Sequence, residues 1–300
     1  MSRSLASSRL LTPSTLAAID DLALVARLIV EGFLAGEHRD RRPGAGVEFS
    51  QYRSYQPGDD LRKVDWRAYG RCDRFYVRES EVERDVTVRL VLDASASMAH
   101  EDSGLSKLAY ARLLIAALAY LAERQGDRIA FHAVQDSSSM DLPAARGRHS
   151  LSRVLHRLDR LEAVGSWPPW ELLGARIART RECELVVVVS DLYQTDGEML
   201  RALEALRALG HEVLVLHLMG RNELDFSYVG DHAFVDLESG ATVTGNPAVM
   251  RAAYLERMAV ALARWRETLL EAGVGYTLST LDTPIDGALR ACLARRARLP

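Results

Sequence analysis

The residues best placed to do chemistry follow a short apolar run. Thr87 to Leu92 is rich in β-branched and aliphatic side chains, stops at Asp93 and continues as Ala94, Ser95, Ala96, Ser97, a D-x-S-x-S pattern. One carboxylate and two hydroxyls at alternate positions of a turning loop can converge on one point, and oxygen ligands of that kind suit a hard cation such as Mg2+. A second unbroken apolar run, Leu185 to Val189, ends in Ser190-Asp191. Runs of this length and composition suit strands of a parallel sheet covered on both faces. Groups just beyond their carboxyl ends lie in the crevice where open α/β sheets bind ligands, so Asp93 and Asp191 can meet although they are distant in sequence.

The elements that must hold these groups alternate in type. Helical spacing runs from about Thr15, capped by Ser14, to Leu34, then Lys107 to Gln125, Ser150 to Leu161, Trp170 to Thr180, Asp196 to Leu209, Ala248 to Glu271, and onward from Ile285. Strand patterns occupy 87–93, 127–134, 185–189, 212–218 and 274–281. Alternation of this kind implies βαβ units, hence an α/β fold with a doubly wound, mainly parallel sheet and helices on both faces. Thr195 and Glu198 have capping-box spacing and read as a helix start. Arg221 to Asn246 is a polar excursion.

Between Arg39 and Asp85 glycines, aromatics and dense mixed charge replace the periodic pattern. Val47 to Tyr55 and Phe75 to Arg78 read as strands, with Gln56-Pro57-Gly58-Asp59-Asp60 as turn chemistry. The segment is too short and polar to bury a core of its own, so a small β appendage against the main sheet is expected. The expected domains are residues 1–85, an N-terminal helix and small β segment, and residues 86–300, the α/β domain.

Composition narrows the function classes. A net charge of -3 and a pI near 6.3 give no support to whole-chain binding of nucleic acid. Cys72, Cys183 and Cys292 are far apart and odd in number, fitting neither a disulfide framework nor a zinc site, so a reduced cytoplasmic compartment is the expectation. Leu16 to Leu34 carries Asp20, Asp21, Arg27 and Glu31, which rule it out as a membrane span, and no signal-peptide pattern precedes it. The histidines lack ligand spacing, and there is neither a nucleophile elbow nor a glycine-rich phosphate loop.

D-x-S-x-S after one buried strand, with an Asp directly after another, resembles the metal-ion-dependent adhesion site of von Willebrand factor A domains. The resemblance implies that Ser95 and Ser97 bind Mg2+, that Asp93 and Asp191 hold the metal's waters, and that a partner's carboxylate completes the octahedron. The family adds a threonine from a middle loop; here Trp170 stands at that position, leaving Ser166 and Glu171 as nearby oxygen sources. Upstream, Phe49, Arg53, Tyr55, Pro57-Gly58-Asp59-Asp60, Arg62, Val64-Asp65-Trp66-Arg67-Ala68 and Val77-Arg78-Glu79 resemble the bacterial proteins grouped as domain of unknown function 58. These carry a von Willebrand A-like domain and are typically encoded beside an AAA+ ATPase of the MoxR type. This resemblance implies a cytoplasmic, non-enzymatic protein-binding module or adaptor working with such an ATPase and taking partner carboxylates through Mg2+.

Two other readings compete. One is a metal-free scaffold. The other is an Mg2+-dependent phosphohydrolase of the haloacid dehalogenase kind, with Asp93 as nucleophile; that chemistry needs a second Asp two residues on as acid and base, and Ser95 stands there instead. Incubation with aryl phosphates and Mg2+ is therefore expected to give no turnover, and robust turnover abolished by Asp93→Asn would reverse that reading.

Overall fold

The computed structural model of the chain describes residues 12–40, 52–54, 76–78, 86–135, 140–169, 182–193 and 197–296. Two compact units divide the chain, residues 1–35 together with 86–300, and residues 36–85. In the smaller unit β1 (Tyr52–Ser54) pairs antiparallel with β2 (Tyr76–Arg78), Arg53 opposite Val77. The expected turn at Gln56 to Asp60, and Asp65, Trp66, Arg67 and Cys72, lie outside the described residues.

The larger unit is built on a six-stranded sheet. In chain order its strands are β3 (Thr87–Asp93), β6 (Arg128–Val134), β7 (Met140–Ala145), β8 (Leu185–Ser190), β9 (Glu212–Met219) and β12 (Gly275–Thr280), with a separate two-residue antiparallel pair, β4 (Glu101–Asp102) and β5 (Leu105–Ser106), after β3; the order across the sheet is β12-β9-β8-β3-β6-β7. All neighbours pair in parallel except the edge strand β7, which runs antiparallel to β6. β7 is absent from the sequence expectation. Its Met-Asp-Leu-Pro-Ala-Ala stretch has one buried side chain, Leu142, and an edge strand tolerates the proline that would argue against a central one.

The central strands divide the core by their two-residue period. Leu90, Leu92, Val187, Val189, Leu214 and Leu216 point into one layer, and Val91, Val186, Val188, Val213 and Val215 into the other. The first layer receives helix α3 (Lys107–Gln125), α4 (Arg148–Asp159) and α8 (Ile285–Arg296), as well as the N-terminal helices α1 (Pro13–Ala17) and α2 (Leu22–Asp40) through Leu16, Val25, Ile29 and Phe33. The second receives α5 (Glu198–Ala208) and Leu269 near the end of α7 (Pro247–Glu271). Helix α3 is apolar on nearly every side because it is packed all round. Ser106 caps its start by accepting the Ala109 N–H at 3.1 Å, and Gly126 closes it at φ 80°.

The single N-terminal helix expected from Thr15 to Leu34 is two helices. Thr12, not Ser14, caps the first, and Asp21 accepts the Leu24 N–H at 3.0 Å and starts the second. An Asx side chain bonding its local backbone competes with helix continuation, which the apolar spacing alone does not register. The expected helix over 170–180 lies outside the described residues, as does Thr195. The polar excursion contains a short helix α6 (Arg221–Asp225) and an antiparallel hairpin of β10 (His232–Val235) and β11 (Thr242–Gly245). Among the described residues no helix is long and apolar enough to cross a membrane.

One charge cluster is buried in the sheet. Arg89 of β3 donates from Nε to Glu184 Oε2 at 2.5 Å and from a terminal nitrogen to Glu184 Oε1 at 2.8 Å, and it meets His132, whose other ring nitrogen pairs with Asp141 at 2.8 Å. Arg89 and Glu184 are 5% and 1% exposed, so removing either leaves a desolvated charge. Arg89→Met is expected to cost about 3 kcal/mol in urea denaturation, with part recovered by adding Glu184→Gln; an unchanged midpoint would show that the pair contributes nothing.

Candidate functional site

β3 and β8 are adjacent and parallel, so their carboxyl ends deliver Asp93 and Asp191 to the same rim. Asp93 is buried and both its oxygens are taken: Oδ1 accepts the Ser95 N–H at 2.9 Å and Oδ2 accepts the Ser190 hydroxyl at 2.6 Å. The first bond turns the chain so that Ser95 and Ser97 face each other, their Oγ atoms 3.0 Å apart. Ser97 then donates to Asp191 Oδ1 at 3.2 Å. Ser95, Ser97 and Asp191 thus form one continuous chain of oxygens, to which Asp93 is joined through the Ser95 N–H.

The middle loop closes one side. Ala96 N–H bonds to Gly165 O and Val164 N–H to Ala94 O, both at 2.9 Å, placing Ser166 and the buried Trp167 on the wall of a cavity of about 550 Å³ that also exposes Ser97. Trp170 and Glu171 lie outside the described residues.

Several site residues were not foreseen. The Lys107 ammonium, fully buried at the start of α3, donates to Asp191 Oδ2 at 2.9 Å and to Glu223 Oε1 at 2.8 Å, and lies 4.6 Å from the centre of the Tyr193 ring. Tyr193 OH donates to the same Glu223 oxygen at 3.1 Å, while Glu223 Oε2 accepts the Gly220 N–H at 2.6 Å and so fixes the start of α6. A side chain on Gly220 would come within 2.3 Å of Asn222 Oδ1, so the turn there is crowded rather than strained. His100 closes the group with an Asn222 contact at 3.1 Å. A first-turn lysine reads in sequence as solvated and Glu223 as a local cap, so neither signalled a buried pair; Ser190, directly before Asp191, was the one legible clue.

Electrostatics and backbone both carry a cost here. Burial, and then repulsion from Asp191, push the Asp93 carboxyl up to about 6 against the pull of its Ser190 and Ser95 hydrogen bonds. Leu192, buried and not glycine, sits at φ 54° immediately after Asp191, its N–H donating to Ser190 Oγ at 3.0 Å. Strain of this sort persists where surrounding contacts over-determine the backbone. On the open side, Glu238 in the turn of the β10–β11 hairpin faces the Ser97 and Ser95 hydroxyls and the Asp191 carboxylate; partial desolvation there raises its carboxyl above the usual range.

Among the described residues no set of three or more His, Cys, Asp or Glu side chains is gathered as a metal cluster. The oxygens of this rim are of another kind, two hydroxyls with two carboxylates. Their 3.0 and 3.2 Å spacings are close to the edge of an octahedron with Mg–O bonds of about 2.05 Å, roughly 2.9 Å, and the carboxylates of Asp93, Asp191 and Glu223 gathered there outnumber the single Lys107 ammonium. The residues present therefore fit a hard divalent cation.

The Asp93 shift has a defined sign. The folded carboxyl titrates near 6 and the unfolded one near 3.8, so the folded state holds the proton longer and stability falls as pH rises from 3.8 through 6. At about 1.4 kcal/mol per pH unit the penalty above pH 6 has an upper limit of roughly 3 kcal/mol. In chelator-containing buffer Asp93→Asn is expected to be more stable than wild type at pH 7.5 by about 1 kcal/mol, the weaker amide hydrogen bonds taking back the rest, with the advantage gone by about pH 4. Thermal melts at the two pH values check this; equal destabilisation at both would mean the carboxylate is favourably housed.

Three comparisons place the chain among known proteins. An uncharacterized protein of Mycobacterium tuberculosis is 29% identical over 231 residues, covering 76% of this chain and 72% of the relative. Among solved structures, an aerotolerance-related membrane protein from Bacteroides fragilis is 18% identical with a TM-score of 0.48, and BatB from Bacteroides thetaiotaomicron is 17% identical with a TM-score of 0.46, each alignment covering 71% of this chain and 99% of the other. With residues 51–264 matching the profile of the family described as Protein of unknown function DUF58, the chain belongs to that family.

Proposed function

We propose that this chain is a non-enzymatic protein-binding module that accepts a partner's carboxylate at the Ser95–Ser97–Asp191 rim, with Mg2+ at that rim, and that it works in the cytoplasm as an adaptor to a MoxR-type AAA+ ATPase. The observation that carries the reading is the file of oxygens, 3.0 and 3.2 Å apart, that runs from the buried Ser95 and Asp191 to Ser97, which lines the cavity beside Trp167 and Tyr193. Ser95, Ser97 and Asp191 would hold the ion, and Asp93, locked by Ser95 N–H and Ser190, would orient its shell. The ion supplies local positive charge with a position for an incoming carboxylate. Lys107 aims Asp191 by taking its second oxygen, and Ser166 lines the cavity. The ATPase and the compartment rest on family resemblance and cysteine usage.

The hydrolase alternative loses ground on Asp93. A nucleophilic carboxylate needs an ionised oxygen free to reach substrate. Here the group is 0% exposed, both oxygens are engaged, and burial favours its proton.

Two measurements test the module. Titration calorimetry with Mg2+ is expected to give binding heat with wild type and far less with Ser95→Ala; no heat with either favours the metal-free scaffold. Capture from native lysate on the immobilised full chain is expected to recover an AAA+ ATPase with Mg2+ and to lose it with chelator or with Ser97→Ala. Recovery indifferent to both, or of no ATPase at all, would sink the proposal.

A further inference from the structure

The hairpin beside the rim carries the next step. Its tip is a hydrogen-bonded turn: Asp236 Oδ1 accepts the Glu238 N–H at 2.9 Å and the Ser239 N–H at 3.3 Å, Oδ2 accepts the Ser239 hydroxyl at 2.7 Å, and Gly240 bonds back to Asp236 O at 2.8 Å with φ 73°. That arrangement leaves Leu237 and Glu238 projecting. A two-stranded hairpin of this size is marginal alone. This one is anchored by ring contacts that run from Phe234 through Phe226 to Tyr254 of α7, at 5.3 and 4.1 Å between centroids.

The anchored tip hangs over the cavity. Val235, Leu237 and Glu238 line it together with Ser97 and Tyr193, and Leu237 stays 47% exposed although it is a branched apolar side chain. Glu238 lines that cavity with Ser97, its solvent-exposed carboxyl close enough to the Ser97 and Ser95 hydroxyls and the Asp191 charge to be influenced by them. Surface carboxylates ordinarily point to water and away from other carboxylates. The braced turn therefore keeps a carboxylate in the cavity that a rim hydroxyl, Ser97, opens into, where an incoming carboxylate would have to pass.

We propose that Leu237–Glu238 is a resident occupant of the rim, standing where the partner's carboxylate docks, so that the partner presents the same chemistry: an acidic side chain preceded by a branched apolar one on a tight turn. This rests on the module reading above. Docking then requires the hairpin tip to yield, and the cavity walls that receive Leu237 become the apolar part of the partner's footprint. Because a tethered competitor acts at a high effective concentration, its removal strengthens binding without any new contact.

The test uses a fluorescent synthetic peptide of residues 233–242 of this chain and the full-length protein as wild type, Glu238→Gln, and Glu238→Gln with Ser97→Ala, read by anisotropy in Mg2+. The peptide is expected to bind Glu238→Gln about ten-fold or more tightly than wild type, since removing an intramolecular competitor restores the occupied fraction of sites. Adding Ser97→Ala, or using a peptide with Gln in place of Glu238, should abolish that binding. Equal binding to wild type and Glu238→Gln, still lost with Ser97→Ala, overturns the resident occupant but leaves the rim as a carboxylate site. Absence of binding to either protein overturns the Leu237–Glu238 assignment as well, whereas the module itself stands or falls on the Ser97-dependent capture.

Discussion

The Lys107 ammonium is the point at which the rim's separate elements are tied. It stands at the start of α3, and its two ion pairs reach the end of β8 through Asp191 and the start of α6 through Glu223. A buried ammonium is costly unless its partners are close and hydrogen-bonded, and here both lie within 2.9 Å with the Tyr193 ring alongside. Because Asp191 gives one oxygen to Lys107 and the other to Ser97, the D-x-S-x-S loop is held by the same interaction. Loosening that ammonium would free three segments at once, which is why the rim is better regarded as one connected unit than as side chains on independent loops.

A second theme is that the rim is not arranged for stability. Asp93 is housed where its charge is disfavoured, Leu192 is held in a conformation more natural to glycine, and acidic groups from four segments face one another. Each is a small loss that the two well-packed core layers can absorb. Such losses concentrate where a fold does its work, and the gathered carboxylates favour the arrival of positive charge at the Asp191 side.

Much of this was readable before any coordinates. The strands at 87–93, 185–190 and 212–219 announced themselves because a strand covered on both faces must be apolar at every position, and helix α3 because it is packed all round. Asp93, Ser95 and Ser97 were legible as a site because they are neighbours in the chain. Asp191 was legible because it repeats the pattern of a carboxylate at a buried strand end. The N-terminal helix was misjudged as one piece because Asp21 breaks it by a local hydrogen bond that apolar spacing cannot show, and β7 was missed because an edge strand need not be apolar.

What the sequence determined by itself, then, was the alternating α/β architecture and the placing of carboxylates and hydroxyls at two strand ends, since both follow from burial and from contacts between near neighbours. Only the tertiary structure decided that β3 and β8 are adjacent, that Lys107 lies buried between acids 84 and 116 residues away, and that Glu238 comes back over the serines. Charged side chains in a sequence default to water, and nothing local distinguishes one that a sheet's strand order will carry into a desolvated meeting with its opposite.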